Sequence, residues 1–283
     1  MKTSHLEKLY RPTMTSHDTR MINANKNKRR LRHALVAGLL LTIVGWAIWS
    51  QVGTSHPSSR KTLHSSSHQV YCVAISPDGK LVASTGFRVV ELWDIETAQC
   101  LSRRATTIDH FHVEFEPNGE AIRTITSEGE TYDWEISDNR LSDVARREVN
   151  GAVVHRRLSP DGKNGLKLRR LTPGSVDITD PATESIRVSL LGHNDEVNDG
   201  AFSPDGETLA TAGGFTSHPW PVNSSGEIRL WDVSTGRLLL ILNEHKGAVI
   251  SVVFSGDGTI LASGSHDGTI KLWDICTLRK RWR

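Results

Sequence analysis

His245, Ser263 and Asp267 are the residue types of a nucleophilic hydrolase: a hydroxyl to attack, an imidazole to take its proton, and a carboxylate to orient the imidazole. The spacing from His245 to Ser263 is repeated between His193 and Thr211. A reaction needs its trio once. A trio that recurs along a chain points to scaffold, so no catalytic residue is assigned. The remaining chemistry is sparse. Cys72, Cys100 and Cys276 are the only cysteines, too few and too odd in number for a disulfide framework. With no CxxC and no Cys/His cluster at zinc spacing, no metal and no cofactor is expected.

The elements that would carry these residues are short and repeated. Turn signatures occur at Ser76-Pro77-Asp78-Gly79, Glu116-Pro117-Asn118-Gly119, Ser159-Pro160-Asp161-Gly162, Ser203-Pro204-Asp205-Gly206 and Ser255-Gly256-Asp257-Gly258. Their period lies in the forties, with a longer last interval. Proline presets φ, Asp or Asn bonds its own backbone, and Gly accepts positive φ, so each closes a hairpin. Alternating apolar runs flank every turn, as in VISVVF before Ser255 and TIKLWD after it. Short strands at such a period argue for an all-β repeat architecture built from blades. Tryptophan agrees: of eight, Trp93, Trp134, Trp231 and Trp273 fall in similar local contexts.

Residues 245–275, HKGAVISVVFSGDGTILASGSHDGTIKLWDI, resemble a complete WD (tryptophan–aspartate) repeat. The resemblance to the WD-repeat β-propeller family is clearest over 193–275. It implies blades pinned by a hydrogen-bonded foursome, at positions held here by His245, Ser263, Asp267 and Trp273. Such a network fixes one loop geometry only if every buried polar group is satisfied. The block at 193–233 supplies His193, Thr211 and Trp231, with Ser225 where Asp belongs, so a looser network is expected there. Block one keeps Ser84 and Trp93 but has Ser66 and Phe87 at the His and Asp positions. Block two keeps Thr124 and Trp134, with Thr106 and Glu128 replacing the other two. Block three retains its turn and VDITD, with Thr179 in place of Trp. About five blades are recognisable, which leaves three outcomes open: a small closed ring, an open arc completed by self-association or by a second chain, or a fragment. The outer strand of the last blade is expected at LRKRWR, where the chain stops at Arg283.

Partner-binding candidates also follow from the resemblance. The segment between Thr211 and Trp231 is twice as long as its counterpart between Ser263 and Trp273. Phe215, His218 and Trp220 would project from this loop, stiffened by Pro219 and Pro221; aromatic anchors on rigid loops suit an interface. Family binding positions on the same face map to Gln69 and Tyr71, Asp109 and Phe111, Glu196 and Asn198, Ala248 and Ile250, and His266. They form no basic stripe, and with a net charge of +2 no nucleic acid is expected. The function implied is a non-enzymatic protein–protein interaction scaffold with an unidentified protein partner. A propeller hydrolase would need several acids converging from different blades, and His112 and Glu114 are the only conspicuous polar pair on the innermost strands.

Ahead of the repeats, residues 1–33 read as a polar, basic tail ending in Lys26, Lys28, Arg29, Arg30 and Arg32. Residues 34–53 are uncharged and apolar, about 30 Å of helix, enough to span a hydrocarbon core. The expectation is a signal-anchor transmembrane helix with a cytoplasmic N-terminus and an extracytoplasmic propeller, or a secreted protein if that segment is cleaved. Residues 54–65 read as a Ser-rich linker and 66–283 as the propeller.

Overall fold

The computed structural model describes residues 59–147, 158–168, 174–216 and 225–280. Two units divide the chain, Met1–His56 and Pro57–Arg283, and every described residue belongs to the second.

The first strand, β1 (Lys61–His64), stands apart from the sequential hairpins that follow. One sheet is built from β2 (Val70–Ile75), β3 (Leu81–Gly86), β4 (Val89–Asp94) and β5 (Cys100–Ala105). The next comprises β6 (His110–Phe115), β7 (Ala121–Thr126), β8 (Thr131–Ser137) and β9 (Arg140–Arg147). A third joins β10 (Gly165–Leu168), β11 (Ser175–Thr179) and β12 (Ile186–Leu191), and a fourth joins β13 (Val197–Phe202), β14 (Thr208–Gly213), β15 (Glu227–Asp232) and β16 (Leu238–Leu242). The last hairpins, β17 (Val249–Phe254), β18 (Ile260–Ser265) and β19 (Thr269–Asp274), take β1 as their fourth strand. Every pairing is antiparallel, as in Lys61 opposite Leu272 and Leu63 opposite Ile270. This all-β architecture fits a β-propeller.

The outer strand of the last sheet therefore comes from residues 61–64, which the sequence reading places in a Ser-rich linker. The polar flanks hide a single core side chain: Leu63 is 1% exposed between the last sheet and the first. The stretch expected to be that strand begins instead in a short helix, α1 (Ile275–Arg279), capped by the Asp274 side chain accepting from Thr277 N–H. The membrane topology is also corrected. Among the described residues no helix is long and apolar enough to cross a membrane, and the 34–53 segment lies outside them. The expected single-pass placement, with its cytoplasmic and extracytoplasmic sides, is withdrawn.

The turns show why hairpins form where they do. Ser76 Oγ donates to Asp78 Oδ1 at 2.6 Å and accepts from Leu81 N–H, while Gly79 takes φ +73°. The same arrangement recurs at Ser159/Asp161, Ser203/Asp205 and Ser255/Asp257.

The core lies between sheets, not within one. Four apolar clusters are present among the described residues, and each joins two neighbouring sheets. Trp273 packs with Ala210, Ile228 and Leu230 of the fourth sheet; Trp93 packs with Leu63, Ile260 and Ile270 of the last. Trp134 meets Cys72, Ala83 and Leu92, and Trp231 meets Val176, Ile178 and Leu190. Each indole thus faces the preceding sheet, where burial of a side chain this large contributes about 3 kcal/mol. Innermost strands add polar stitches from one equivalent position. Asp199 Oδ2 accepts Val252 N–H at 2.9 Å, Ser251 Oγ accepts Val73 N–H at 3.3 Å, and Cys72 Sγ lies 3.9 Å from Val113 O.

Candidate functional site

In the last sheet a single chain of hydrogen bonds runs from loop to core. Trp273 Nε1–H donates to Ser263 Oγ at 3.0 Å, and Ser263 Oγ stands 2.8 Å from His245 Nε2. His245 Nδ1 lies 3.1 Å from Asp267 Oδ2, which also accepts Lys246 N–H at 2.8 Å. Only one tautomer satisfies the chain: the Nδ1 proton goes to the carboxylate and the hydroxyl proton to Nε2. Burial pushes the His245 pKa down against the opposing pull of Asp267, so the ring is neutral at neutral pH. Burial raises the Asp267 carboxyl, but His245, Thr269 and the Lys246 N–H together outweigh it and hold the group well below the ordinary range. Ser263 is fully buried and its oxygen is occupied from both sides. A nucleophile needs a path to substrate, and this hydroxyl has none.

The fourth sheet keeps the Trp–hydroxyl–imidazole part of this chain and sets a different acid beside the ring. Trp231 Nε1–H donates to Thr211 Oγ1 at 2.8 Å, and Thr211 Oγ1 lies 2.6 Å from His193 Nε2. Glu227 Oε1 lies 2.8 Å from Nδ1 without the angle of a hydrogen bond, where the sequence reading set Ser225 and expected a looser network. Glu227 opens β15, and its longer side chain reaches back to the ring. Burial pushes its carboxyl up, but His193 and Arg229, the latter 3.1 Å from Oε2, bring it down to about 2. The legible signal was an acid just beyond the expected place, at the head of the EIRLWD strand.

The second sheet holds a residue that the repeat alignment missed. Trp134 Nε1–H donates to Thr124 Oγ1 at 2.9 Å, and the imidazole on that hydroxyl is His110, through Nδ1 at 2.8 Å. The alignment pointed to Thr106, which precedes Thr124 by the interval that separates His245 from Ser263. His110 instead occupies the strand position filled by Val70, Val197 and Val249. Burial lowers its pKa to about 4, against the opposing charge of Asp109. In the first sheet Trp93 Nε1–H donates to Ser84 Oγ at 3.0 Å, with Ser66 at the imidazole's expected position. Ser66 turns instead to Glu91, a fully buried carboxylate that also accepts from Ser65 Oγ at 2.6 Å and Arg103 Nε at 2.8 Å.

The partner-binding candidates separate clearly. Tyr71 and Phe111 stack with ring centroids 4.9 Å apart and planes 10° from parallel, and His266 meets Tyr71 edge-on at 6.3 Å. Phe111 is 47% exposed. Asp109 accepts Arg88 N–H at 3.0 Å beside them. Burial, and then the charge of Asp109, raise the Tyr71 pKa, and burial lowers that of His266. Sequence-distant residues from three sheets thus meet on one end of the molecule. Phe87, at the expected Asp position of block one, is 55% exposed there, with the Arg88 guanidinium 5.3 Å over its ring.

Other candidates do different work. Asn198 Nδ2 donates to Gly214 O and Val249 O, tying two sheets together. Glu196 Oε2 accepts from Thr216 Oγ1 at 3.2 Å, Ala248 is buried, and Phe215 is half-buried. His218 and Trp220, with Pro219 and Pro221, lie outside the described residues. Among the described residues no three His, Cys, Asp or Glu side chains are grouped to hold a metal ion. Cys72 is buried 3.8 Å from His112 Nδ1, and burial pushes its thiol up to about 11, which keeps it protonated.

Comparison with known proteins follows the same segments. The family model described as WD domain, G-beta repeat matches residues 57–94, 184–232 and 236–274. The chain is 28% identical to Periodic tryptophan protein 2 of Arabidopsis thaliana, over 48% of this chain and 13% of that protein. It is 30% identical to an uncharacterised WD repeat-containing protein of Synechocystis, over 50% of this chain and 40% of that one. Similarity to the transcriptional corepressor LEUNIG_HOMOLOG of Arabidopsis thaliana is 23%, over 75% of this chain and 36% of that protein. The chain thus spans well under two thirds of each of these relatives.

Proposed function

This chain is a WD-repeat protein, and from that premise we propose that it is a non-enzymatic protein–protein interaction scaffold, a five-bladed ring that binds partners on the end carrying Tyr71 and Phe111. The observation that carries the reading is the stacked Tyr71–Phe111 pair, which joins two blades and leaves Phe111 47% exposed. Aromatic rings held rigid and left exposed are the usual anchors of an interface. The hydroxyl, imidazole and carboxylate groups that suggest hydrolysis are spent inside the blades. Pairing of β1 with β19 supports ring closure by strands distant in sequence, which covers an edge that would otherwise seek another chain. It favours a closed ring over an arc needing a second copy.

The test is affinity capture with the full chain and with Phe111→Ser and Tyr71→Ser, each checked for an unchanged thermal melt. Specific partners should be lost from both variants and retained by a variant at Leu238, an exposed residue of an outer strand. Retention of every partner by both variants would overturn the reading.

A further inference from the structure

Within that reading, we propose that the Tyr71–Phe111 surface receives a cationic side chain, arginine or lysine, presented by a partner peptide. Stacked rings turn electron-rich faces outward, and a cation within about 6 Å of such a face is attracted to it. Tyr71 and Phe111 are nearly parallel with centroids 4.9 Å apart, so one ring backs the other, and the exposed Phe111 is the ring that offers an outer face. Asp109 supplies the countercharge. Its carboxylate is close enough to Tyr71 to raise that hydroxyl's pKa, and the Arg88 N–H hydrogen bond fixes it in place. A guanidinium on the outer face of this stack would meet a preset aromatic ring and a preset carboxylate, with little ordering left to do.

Three further observations agree. The molecule already makes this contact once: Arg88 lies over Phe87 at 5.3 Å, in the loop that binds Asp109. His266 meets Tyr71 of the stack edge-on, and burial favours its neutral form, so it does not compete as a cation. Among the described residues of the loops at this end, Asp109, Glu128, Asp195 and Glu196 stand against Arg88 and Lys246. An acidic peptide or a nucleic acid backbone would meet repulsion where a basic peptide meets attraction.

The experiment titrates the full chain with four short peptides that differ only at the central residue: Arg, Lys, Ala or Glu. Binding is followed through the NMR signals of Tyr71 and Phe111. The Arg and Lys peptides should shift both rings, with Glu and Ala at least about tenfold weaker. Phe111→Ala should weaken the Arg peptide about tenfold, Asp109→Asn severalfold, and added salt should weaken it further. Each variant is compared with the parent by thermal melt. Equal binding of all four peptides, preference for Glu, or no ring shift with Arg or Lys at saturating peptide would overturn the inference. Failure here is separable from failure of the scaffold reading. Partners that still depend on Phe111, yet are not displaced by Arg or Lys peptide, would leave the scaffold standing and remove the cation.

Discussion

The sheets that end in Trp273 and Trp134 solve one problem by two routes. Each must satisfy an indole N–H buried against the neighbouring sheet, and each does so with a hydroxyl that also meets an imidazole. In the last sheet the imidazole comes from a loop, His245, and its outer nitrogen is held by Asp267. In the second sheet it comes from the strand, as His110 in place of a valine, and burial sets its protonation with no acid bonded to it in the described contacts. The fourth sheet is a third version, with Glu227 reaching back from the strand to set its carboxylate 2.8 Å from the His193 ring. What persists across all three is the buried Trp–hydroxyl–imidazole contact; the source of each partner is free to move.

That comparison breaks most sharply at the hydroxyl. Ser263→Ala strands both the Trp273 indole and the His245 ring, and should cost about 2–4 kcal/mol in urea unfolding. Ser84→Ala strands only the Trp93 indole, and about 1–2 kcal/mol is expected. Equal losses would mean that the imidazole adds nothing.

Replacing the acids should cost less. Asp267→Asn and Glu227→Gln each remove a charge-assisted hydrogen bond, with about 1–2 kcal/mol expected at neutral pH. The pH dependence is more telling. Glu227 titrates lower in the folded chain than in the unfolded one, so its contribution is full above the unfolded value near 4.5 and fades as pH falls toward about 2. Glu227→Gln should flatten that part of the acid profile.

His110 behaves in the opposite way to a paired histidine. Its pKa is lowered from 6.5 to about 4, so the unfolded chain takes the proton first. Stability should therefore fall as pH drops from about 7 toward 4. His110→Val restores the residue type found at the matching strand position elsewhere and frees Thr124 of its imidazole. A loss of about 1 kcal/mol at pH 7 is expected, with a flatter profile between pH 7 and 4. An unchanged slope would show that this ring is not a titrating member of the core.

Phe111→Ala belongs at the small end. The ring is half exposed and makes no hydrogen bond, so stability should change by less than about 0.5 kcal/mol while partner capture is lost. A large drop in melting temperature would place Phe111 in the core and not in an interface.

Much of this was legible in the sequence, for physical reasons. Turns such as Ser255-Gly256-Asp257-Gly258 are read from local chemistry, because the serine, the aspartate and the glycine act on their own backbone. Blades at 193–275 are read because residue type and spacing agree. What stayed hidden depends on reach and not on interval. Glu227 stands in for the residue at 225 because a longer side chain can reach back along the backbone. His110 is invisible to an alignment anchored on Thr106, because it arrives from inside the strand. Strand β1 was masked by composition: Lys61, Thr62 and His64 are polar, and only Leu63 carries the core signal. The aromatic residues could be nominated one by one, but that Tyr71 touches both Phe111 and His266 depends on which sheets pack against one another.

Strand β1 pairs with β19, and Leu63 on it packs between the last sheet and the first, the two sheets that carry His266 and Tyr71. Native-state hydrogen exchange of the full chain tests this pairing most directly. A closed five-bladed ring requires the amides of residues 60–64 to be protected on a par with β19, since Arg60 N–H already donates to Leu272 O at 2.7 Å. Exchange of that segment at loop rates, while β18 and β19 stay protected, would contradict the account and leave an open arc in its place.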